Sequence, residues 1–316
     1  MRATVLRAFG PPRNLVAETV DDPVAAPGQV LVEVEYCSVT FVETQLRAGR
    51  PPHPSMALEL PVVLGNGVGG VVSALGVGAD PKLAGCRVVT TTGGRGGYAQ
   101  RVAVDAALPL VVPEGVKLGD AVALLTDGRT ALMLFEAAAV QPGETVLVEA
   151  AAGGVGSLLV QLAARAGARV VAAAGGERKL ELARRLGADL TVDYSHPGWT
   201  ADAGPVDVVL DGVGGTIARA AFELVRSGGR FSSFGMASGT FAGISDDVAA
   251  DFGVTLLRGN GLQPQALREL SRRALEAAVA GRIRPVVGQT FALDDAAAAH
   301  AAIEARTTLG KTLLAA

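Results

Sequence analysis

The stretch Val146–Gln161, VLVEAAAGGVGSLLVQ, carries residue types in the order that holds a dinucleotide. Thr145–Val148 is apolar enough for a central buried strand. Ala151-Ala152-Gly153-Gly154-Val155-Gly156 follows, and Val155, Leu158, Leu159, Leu162 and Ala166 then recur on one helical face. In a strand–turn–helix unit of this kind the first small residue makes the turn. The second lets the backbone approach a pyrophosphate, and the third lets the helix pack closely on the strand. Gly153 and Gly156 fill the second and third places, and Ala151 fills the first. The helix start adds unpaired N–H groups and the positive end of its dipole. The next strand ends Ala172-Ala173-Ala174-Gly175-Gly176, without the Asp or Glu that bonds the ribose of NADH. Glu177 follows in a first helical turn, where the dipole alone favours it. Arg178 and Lys179 can meet a 2′-phosphate, and Tyr194, after the third strand, is a second candidate. The pattern favours NADPH, whose chemistry is hydride transfer.

These residues need a scaffold of two kinds. Residues 1–120 are rich in valine and broken at short intervals by Gly, Pro or Asp, as in QVLVEVEY (Gln29–Tyr36) and GVGGVVSAL (Gly67–Leu75), which predicts a β-rich, barrel-like domain. From about residue 121 short strands alternate with helices. The expected strands are Thr145–Val148, Arg169–Ala173, Leu190–Val192, Val206–Leu210, Arg230–Phe234 and Thr255–Leu257, and one helix between them is Glu177–Leu186. Such alternation describes a doubly wound parallel sheet. A long helix from Gln263 to about Ala280 is followed by a strand, Pro285–Phe291, a helix, Asp294–Arg306, and a last strand, Lys311–Leu314. This tail suggests that the chain re-enters its first domain. The fold class is therefore α/β, with a β-rich domain of residues 1–120 and 286–316 and a dinucleotide-binding domain of residues 121–285.

Composition narrows the function. The 316 residues are 49% hydrophobic and 19% charged, enough to bury two cores. Aromatics at 4% and a net charge of −3 argue against nucleic acid and anionic membranes as partners. No apolar window is long enough to span a membrane, and the N-terminus has no leader pattern. Cys37 and Cys86 read as reduced, buried thiols of a cytoplasmic protein, and two cysteines with three histidines leave little for a metal site.

Several further motifs accompany the glycine loop. They are Pro27-Gly28-Gln29-Val30, Leu60-Pro61 with Leu64-Gly65, Gly97-Tyr98-Ala99-Gln100, Gly128-Arg129-Thr130-Ala131, Leu186-Gly187-Ala188-Asp189, Gly228-Gly229-Arg230 with Phe234-Gly235, and Gly310-Lys311. Together they resemble the medium-chain dehydrogenase/reductase superfamily and, within it, the zinc-independent quinone oxidoreductase (zeta-crystallin-like) branch. The resemblance implies a split GroES-like catalytic domain and an inserted Rossmann domain with a cleft between them. It also implies NADPH, hydride transfer to a quinone or enone, and a homodimer joined through the Rossmann domains. By motif position Gly153, Gly154, Val155 and Gly156 would hold the pyrophosphate, and Lys179 and Tyr194 the 2′-phosphate. Thr130, Phe234 and Gly235 would lie along the cofactor, and Lys311 is carried over as a further cofactor-binding residue. Zinc-dependent relatives place a cysteine where this chain has Thr40 and a His-Glu pair where it has Asn66-Gly67, and the four-cysteine lobe is missing, so no metal is expected. Quinone reductases often read Asn-Pro-Val-Asp-Thr-Tyr along the active-site segment. This chain reads Thr40-Phe41-Val42-Glu43-Thr44-Gln45, and it has Glu149 where a histidine often precedes the glycine loop.

Reducing a conjugated C=C puts negative charge on the carbonyl oxygen, and a hydrogen-bond donor there lowers the barrier. Thr40 is the first candidate donor, Gln45 the second, and Glu43 a third polar group for the same cleft. Other titratable residues read as structural: His53 in a surface loop, Asp127 as a helix N-cap, Tyr98 as barrel packing, and His196 and His300 without a nucleophile. The substrate pocket is expected from loops around residues 41–60 and 236–262, including Met236, Phe241 and Asn260. Two rival readings keep the cofactor site: a biosynthetic tailoring enzyme acting on a bulky polyketide-like substrate, and an NADPH-binding protein with little catalytic activity.

Overall fold

In the computed structural model, which describes residues 1–258, 261 and 263–316, the chain divides into two units. Unit 1 comprises Met1–Thr126 and Pro285–Ala316, and unit 2 comprises Asp127–Arg284. Unit 1 contains β1 (Arg2–Leu6), β2 (Leu15–Thr19), β3 (Gln29–Val39), α1 (Phe41–Arg47), β4 (Val62–Val63), β5 (Gly67–Leu75), β6 (Arg87–Thr91), β7 (Arg101–Asp105) and β8 (Leu110–Val111). Helix α2 (Leu118–Ala138) contains the division point. Unit 2 continues with β9 (Thr145–Glu149), α3 (Gly154–Arg165), β10 (Arg169–Ala174), α4 (Glu177–Arg185), β11 (Leu190–Asp193), α5 (Trp199–Ala203), β12 (Val206–Asp211) and α6 (Gly215–Phe222). It ends with β13 (Val225–Ser233), α7 (Asp246–Asp251), β14 (Thr255–Leu256) and α8 (Pro264–Val279). The tail of unit 1 is β15 (Val287–Ala292), α9 (Ala296–Glu304) and β16 (Lys311–Ala315).

Unit 1 is built from alternation. In β3, Val30, Val32 and Val34 face the core while Glu33 and Glu35 are exposed, which is the period of a half-buried strand. β3 pairs with β5, β7 and β16, and the larger sheet runs β15-β16-β3-β5-β6-β8. A small antiparallel sheet, β2-β1-β4, completes the unit. The tail belongs to the same core: Leu293, Ile303 and Leu314 pack with Leu6, Val68 and Tyr98. The Thr4 hydroxyl donates to the Leu293 carbonyl at 2.9 Å.

Unit 2 follows the opposite rule. β9, β10 and β12 are near-continuous apolar runs because helices cover both faces of a parallel sheet. The strand order is β11-β10-β9-β12-β13-β14, parallel throughout, so the first strand of the unit lies at the centre. This is the Rossmann order, whose ligands bind beyond the C-terminal ends of the central strands.

Two expectations are corrected. Asp127 is not an N-cap: α2 starts nine residues earlier, at Leu118, and Asp127 lies in its interior. Cys37 is buried, but Cys86 is partly exposed, with its thiol donating to the Lys82 carbonyl at 3.0 Å. Among the described residues no helix is long and apolar enough to cross a membrane.

Candidate functional site

In unit 2 the central strand β9 delivers the glycine loop. Ala150 takes the left-handed φ of +48° directly after the strand, and Gly153 N then donates to its carbonyl at 2.8 Å. Gly153 is the N-cap of α3 and brings no capping side chain. The first helical bond runs from Ser157 N to Gly153 O at 2.9 Å, so the amides of Gly154, Val155 and Gly156 stand outside the helix ladder. Gly156 has to be glycine for steric reasons, because its neighbour is backbone, whereas at Gly154 the neighbour is the tip of the Asp127 side chain. A Cβ on Gly156 would lie 2.2 Å from the Ala150 oxygen, and one on Gly154 would lie 1.9 Å from Asp127 Oδ2. A helix N-terminus with bare amides, packed against its strand by glycine, fits a pyrophosphate.

The neighbouring strands shape the next part. β10 ends at Ala174, and Gly176 turns with φ +87°. Asp193, paired in register with Ala174, accepts from Gly176 N at 2.9 Å. Tyr194 stands over Gly175, where an added Cβ would lie 3.4 Å from its ring. Lys179 is half-buried in the first turn of α4 beside exposed Arg178, and Glu177 is engaged by Arg184 at 2.5 Å. The structure therefore gathers Gly175, Tyr194 and the start of α4 around one turn that carries no ribose-binding carboxylate on β10.

Phe234 and Gly235 are held by Asp211, the last residue of β12. Their amides donate to its carbonyl at 2.9 and 3.2 Å. The Asp211 carboxylate accepts from Val213 N and Gly214 N, both at 2.7 Å, and from the Ser233 hydroxyl at 2.6 Å. Thr130 is half-buried on α2. A cleft of about 330 Å³ in unit 2 is lined by Phe231, Ser233, Phe241, Ile244, Leu256 and Arg258 among others. Met236 is half-buried, and Asn260 lies outside the described residues.

In unit 1 the segment Thr40–Gln45 is the start of α1, closed by a capping box. Thr40 Oγ1 accepts from Glu43 N at 3.4 Å, and Glu43 Oε2 accepts from Thr40 N at 2.7 Å. The Thr40 hydroxyl also donates to Glu43 Oε2 at 3.2 Å. Glu43 is buried, and two distant residues reach it: Asn66 N donates to Oε1 at 2.8 Å and the Tyr98 hydroxyl to Oε2 at 3.0 Å. The Tyr98 oxygen lies 3.0 Å from His300 Nε2. Burial raises the Glu43 pKa, opposed by the Thr40 amide and by the charge of Lys311, which is itself buried on β16. Burial likewise lifts Tyr98 well above the usual phenol range, helped by Glu43. It brings His300 down to about 3, with the charge of Arg47 adding to the effect, so this imidazole is neutral at pH 7. Gln45 is buried and its amide donates to Thr44 Oγ1 at 3.2 Å.

Of the three polar candidates in this segment, Thr40 is half-exposed, whereas Glu43 and Gln45 are buried. Sequence reasoning missed Tyr98 as a partner of Glu43 and His300 as a partner of Tyr98, because the two pairs lie 55 and 202 residues apart in the chain. It also missed α1, although Thr40-x-x-Glu43 is the capping-box signature. His53 caps a short 3-10 turn and is exposed, as a surface loop residue should be.

Residues 26–114 match the family model for the alcohol dehydrogenase GroES-like domain, and residues 186–314 match that for zinc-binding dehydrogenase. Over 99% of its length the chain is 34% identical to a 2-haloacrylate reductase of Burkholderia sp., of which it covers 98%. The chain belongs to the medium-chain dehydrogenase/reductase superfamily, in its zinc-independent quinone oxidoreductase branch. The quinone oxidoreductase of Escherichia coli, solved with NADPH, superposes with a TM-score of 0.90 at 27% identity, with all of both chains covered. That of Thermus thermophilus, also solved with NADPH, gives 0.84 at 31%, again covering all of both chains. As a member of this superfamily the chain has a GroES-like β-rich unit and a Rossmann unit. Among its described residues no group of three or more His, Cys, Asp or Glu could hold a metal ion.

Proposed function

We propose that this chain is an NADPH-dependent, zinc-independent oxidoreductase that reduces a quinone or an α,β-unsaturated carbonyl. The observation that carries the reading is the Ala150–Gly156 loop, whose steric demand for glycine leaves the first amides of α3 open to a pyrophosphate. Its descent from a family with a 2-haloacrylate reductase and quinone oxidoreductases gives the acceptor class. When bound, the nicotinamide supplies hydride. Gly154, Val155 and Gly156 hold the pyrophosphate, and Lys179 with Tyr194 meets the 2′-phosphate beside Gly175. Thr130, Phe234 and Gly235 line the cofactor, with Asp211 fixing the last two by their amides. Lys311 serves in this reading as the positive charge that keeps Glu43 ionisable. Unit 1 acts as the catalytic domain and unit 2 as the cofactor domain.

The Thr40 hydroxyl is the donor to the developing enolate oxygen, and the carbon is protonated from solvent. Glu43 acts as a positioning residue through the Thr40 amide, which its carboxylate holds; the single hydroxyl proton, aimed at the same carboxylate in the free protein, turns from it to the enolate oxygen. Gln45 turns toward Thr44 and stands second to Thr40. Steady-state oxidation of NADPH with a panel of quinones and enones tests the reading. Thr40→Val is expected to lower kcat by about 10²-fold, the effect of removing one oxyanion donor, while Thr40→Ser keeps most of it. Unchanged turnover in Thr40→Val removes this residue from the mechanism. In the same assay NADPH is expected to outperform NADH, and Lys179→Ala to narrow the difference about tenfold through loss of a charged contact. Equal affinities for the two nucleotides in the wild type contradict the roles of Lys179 and Tyr194.

A homodimer through unit 2 forms part of the same proposal. β14 ends the sheet, and Phe241, Val248 and Phe252 nearby are exposed apolar residues. Sedimentation equilibrium reads the stoichiometry, and a monomer at micromolar concentration contradicts it. The cytoplasmic location proposed for the chain rests on its free thiols, and fractionation of cells tests it.

A further inference from the structure

β9 and β12 end side by side on two acids. Leu210 pairs in parallel register with Val148, so Glu149 and Asp211, one residue further on, project from the same face of the sheet. Both are fully buried. Their surroundings differ. Asp211 receives three donors on its carboxylate, from Val213 N, Gly214 N and the Ser233 hydroxyl. Neither carboxyl oxygen of Glu149 accepts a hydrogen bond. On its other side β10 presents Ala173, and α3 carries no charged residue ahead of Arg165. Asp127 of α2 lies one turn on, against Gly154. The charged group acting on Glu149 is Asp211.

Two ionised carboxylates cannot share a dry site with no cation between them, so the pair keeps a proton. The Asp211 oxygens already accept from three donors while those of Glu149 accept from none, which leaves the proton to Glu149. Burial first, and the neighbouring Asp211 second, push Glu149 well above the usual carboxylate range.

We propose that Glu149 stands as a neutral carboxylic acid at neutral pH, donates its O–H to Asp211, and is thereby a positioning residue for the cofactor loops. The first half rests on unit 2 alone, and the link to the cofactor rests on the function proposed above. Asp211 ties the Val213-Gly214 turn to Ser233 and, through its carbonyl, to Phe234 and Gly235. Glu149 leads into the Ala150–Gly156 loop. One proton therefore joins the loops that follow β9, β12 and β13. Losing it places a second negative charge beside the site meant for an anionic cofactor.

Glu149→Gln tests this, because glutamine keeps the shape and the donor but cannot ionise. The sign follows from linkage. A folded pKa above the unfolded value means that the wild type loses stability as pH rises from the unfolded value toward the folded one. The folding constant of Glu149→Gln should gain tenfold per pH unit over the wild type in that window. Infrared spectra should show the carbonyl band of a protonated acid in the wild type at pH 7, lost on alkaline titration and missing in Glu149→Gln. NADPH affinity of the wild type should fall over the same alkaline range, while that of the variant stays level. Parallel stability curves, or a wild type without the titrating band, overturn the neutral acid. A band accompanied by identical NADPH affinities at every pH overturns the positioning role. A wild type that never binds NADPH strikes the proposed function and leaves the infrared result standing.

Discussion

Replacing Glu43 by alanine is expected to cost about 4 kcal/mol of folding stability, the sum of several orphaned buried donors at about 1–3 kcal/mol each. The carboxylate is buried and accepts from Thr40 N, the Thr40 hydroxyl, Asn66 N and the Tyr98 hydroxyl. Alanine leaves Asn66 N and the fully buried Tyr98 hydroxyl without this acceptor, and it opens the capping box of α1. Tyr98 can turn its proton to neutral His300, which recovers one bond of the set. Glu43→Gln keeps the volume but aims an NH₂ at groups that themselves donate, and should cost about 2 kcal/mol for that mismatch. Urea denaturation checks both, reading midpoints at an unchanged slope. A loss below about 1 kcal/mol in Glu43→Ala would show that these donors find other partners. Activity should fall with stability, because the same carboxylate holds Thr40.

Gly156→Ala is the second large effect. The added Cβ would lie 2.2 Å from the Ala150 oxygen and 2.8 Å from its carbon, and both are backbone atoms that no rotamer can move. Either α3 withdraws from β9 or the Ala150 turn opens. We expect a stability loss of about 2–3 kcal/mol, as for other forced overpacking. NADPH affinity should fall at least about tenfold, since the displaced amides are those proposed to hold the pyrophosphate. Gly153→Ala is the control for folding stability alone, since Gly153 stands where the backbone meets the pyrophosphate: its nearest neighbour would be the Ala150 oxygen at 3.2 Å, and its φ of −80° suits any residue. Paired denaturation and NADPH titration separate the two. Wild-type stability in Gly156→Ala would mean that α3 and β9 are not in the close contact described.

Much of unit 2 is legible in the amino-acid sequence. Its central strands β9, β10 and β12 are near-continuous apolar runs, the pattern of burial on both faces, and β9 and β10 begin at Thr145 and Arg169, as the sequence leads one to expect. The glycine loop is legible because steric demands at Gly156 leave one residue type possible. Other features depend on contacts between residues far apart in the chain. Nothing local to Tyr98 or His300 announces that they complete the Glu43 cluster. The neutral state proposed for Glu149 needs Asp211, which only the pairing of β9 with β12 brings alongside. The positive φ at Ala150 is a different case: alanine is a poor choice for that conformation, and the surrounding loop imposes it. Helix α1 is within reach of sequence reasoning, since Thr40-x-x-Glu43 is a local signal; the family pattern draws attention to catalysis instead.

The central claim is that this chain delivers hydride from NADPH to a conjugated carbon. NADPH deuterated at both C4 positions, mixed with the wild type and an α,β-unsaturated carbonyl acceptor, tests it directly, with the product read by mass spectrometry and NMR. The account predicts saturated product carrying one deuterium on the carbon β to the carbonyl, formed mole for mole with NADP⁺. Saturated product without deuterium, or NADPH bound and never consumed across the acceptor panel, would contradict it.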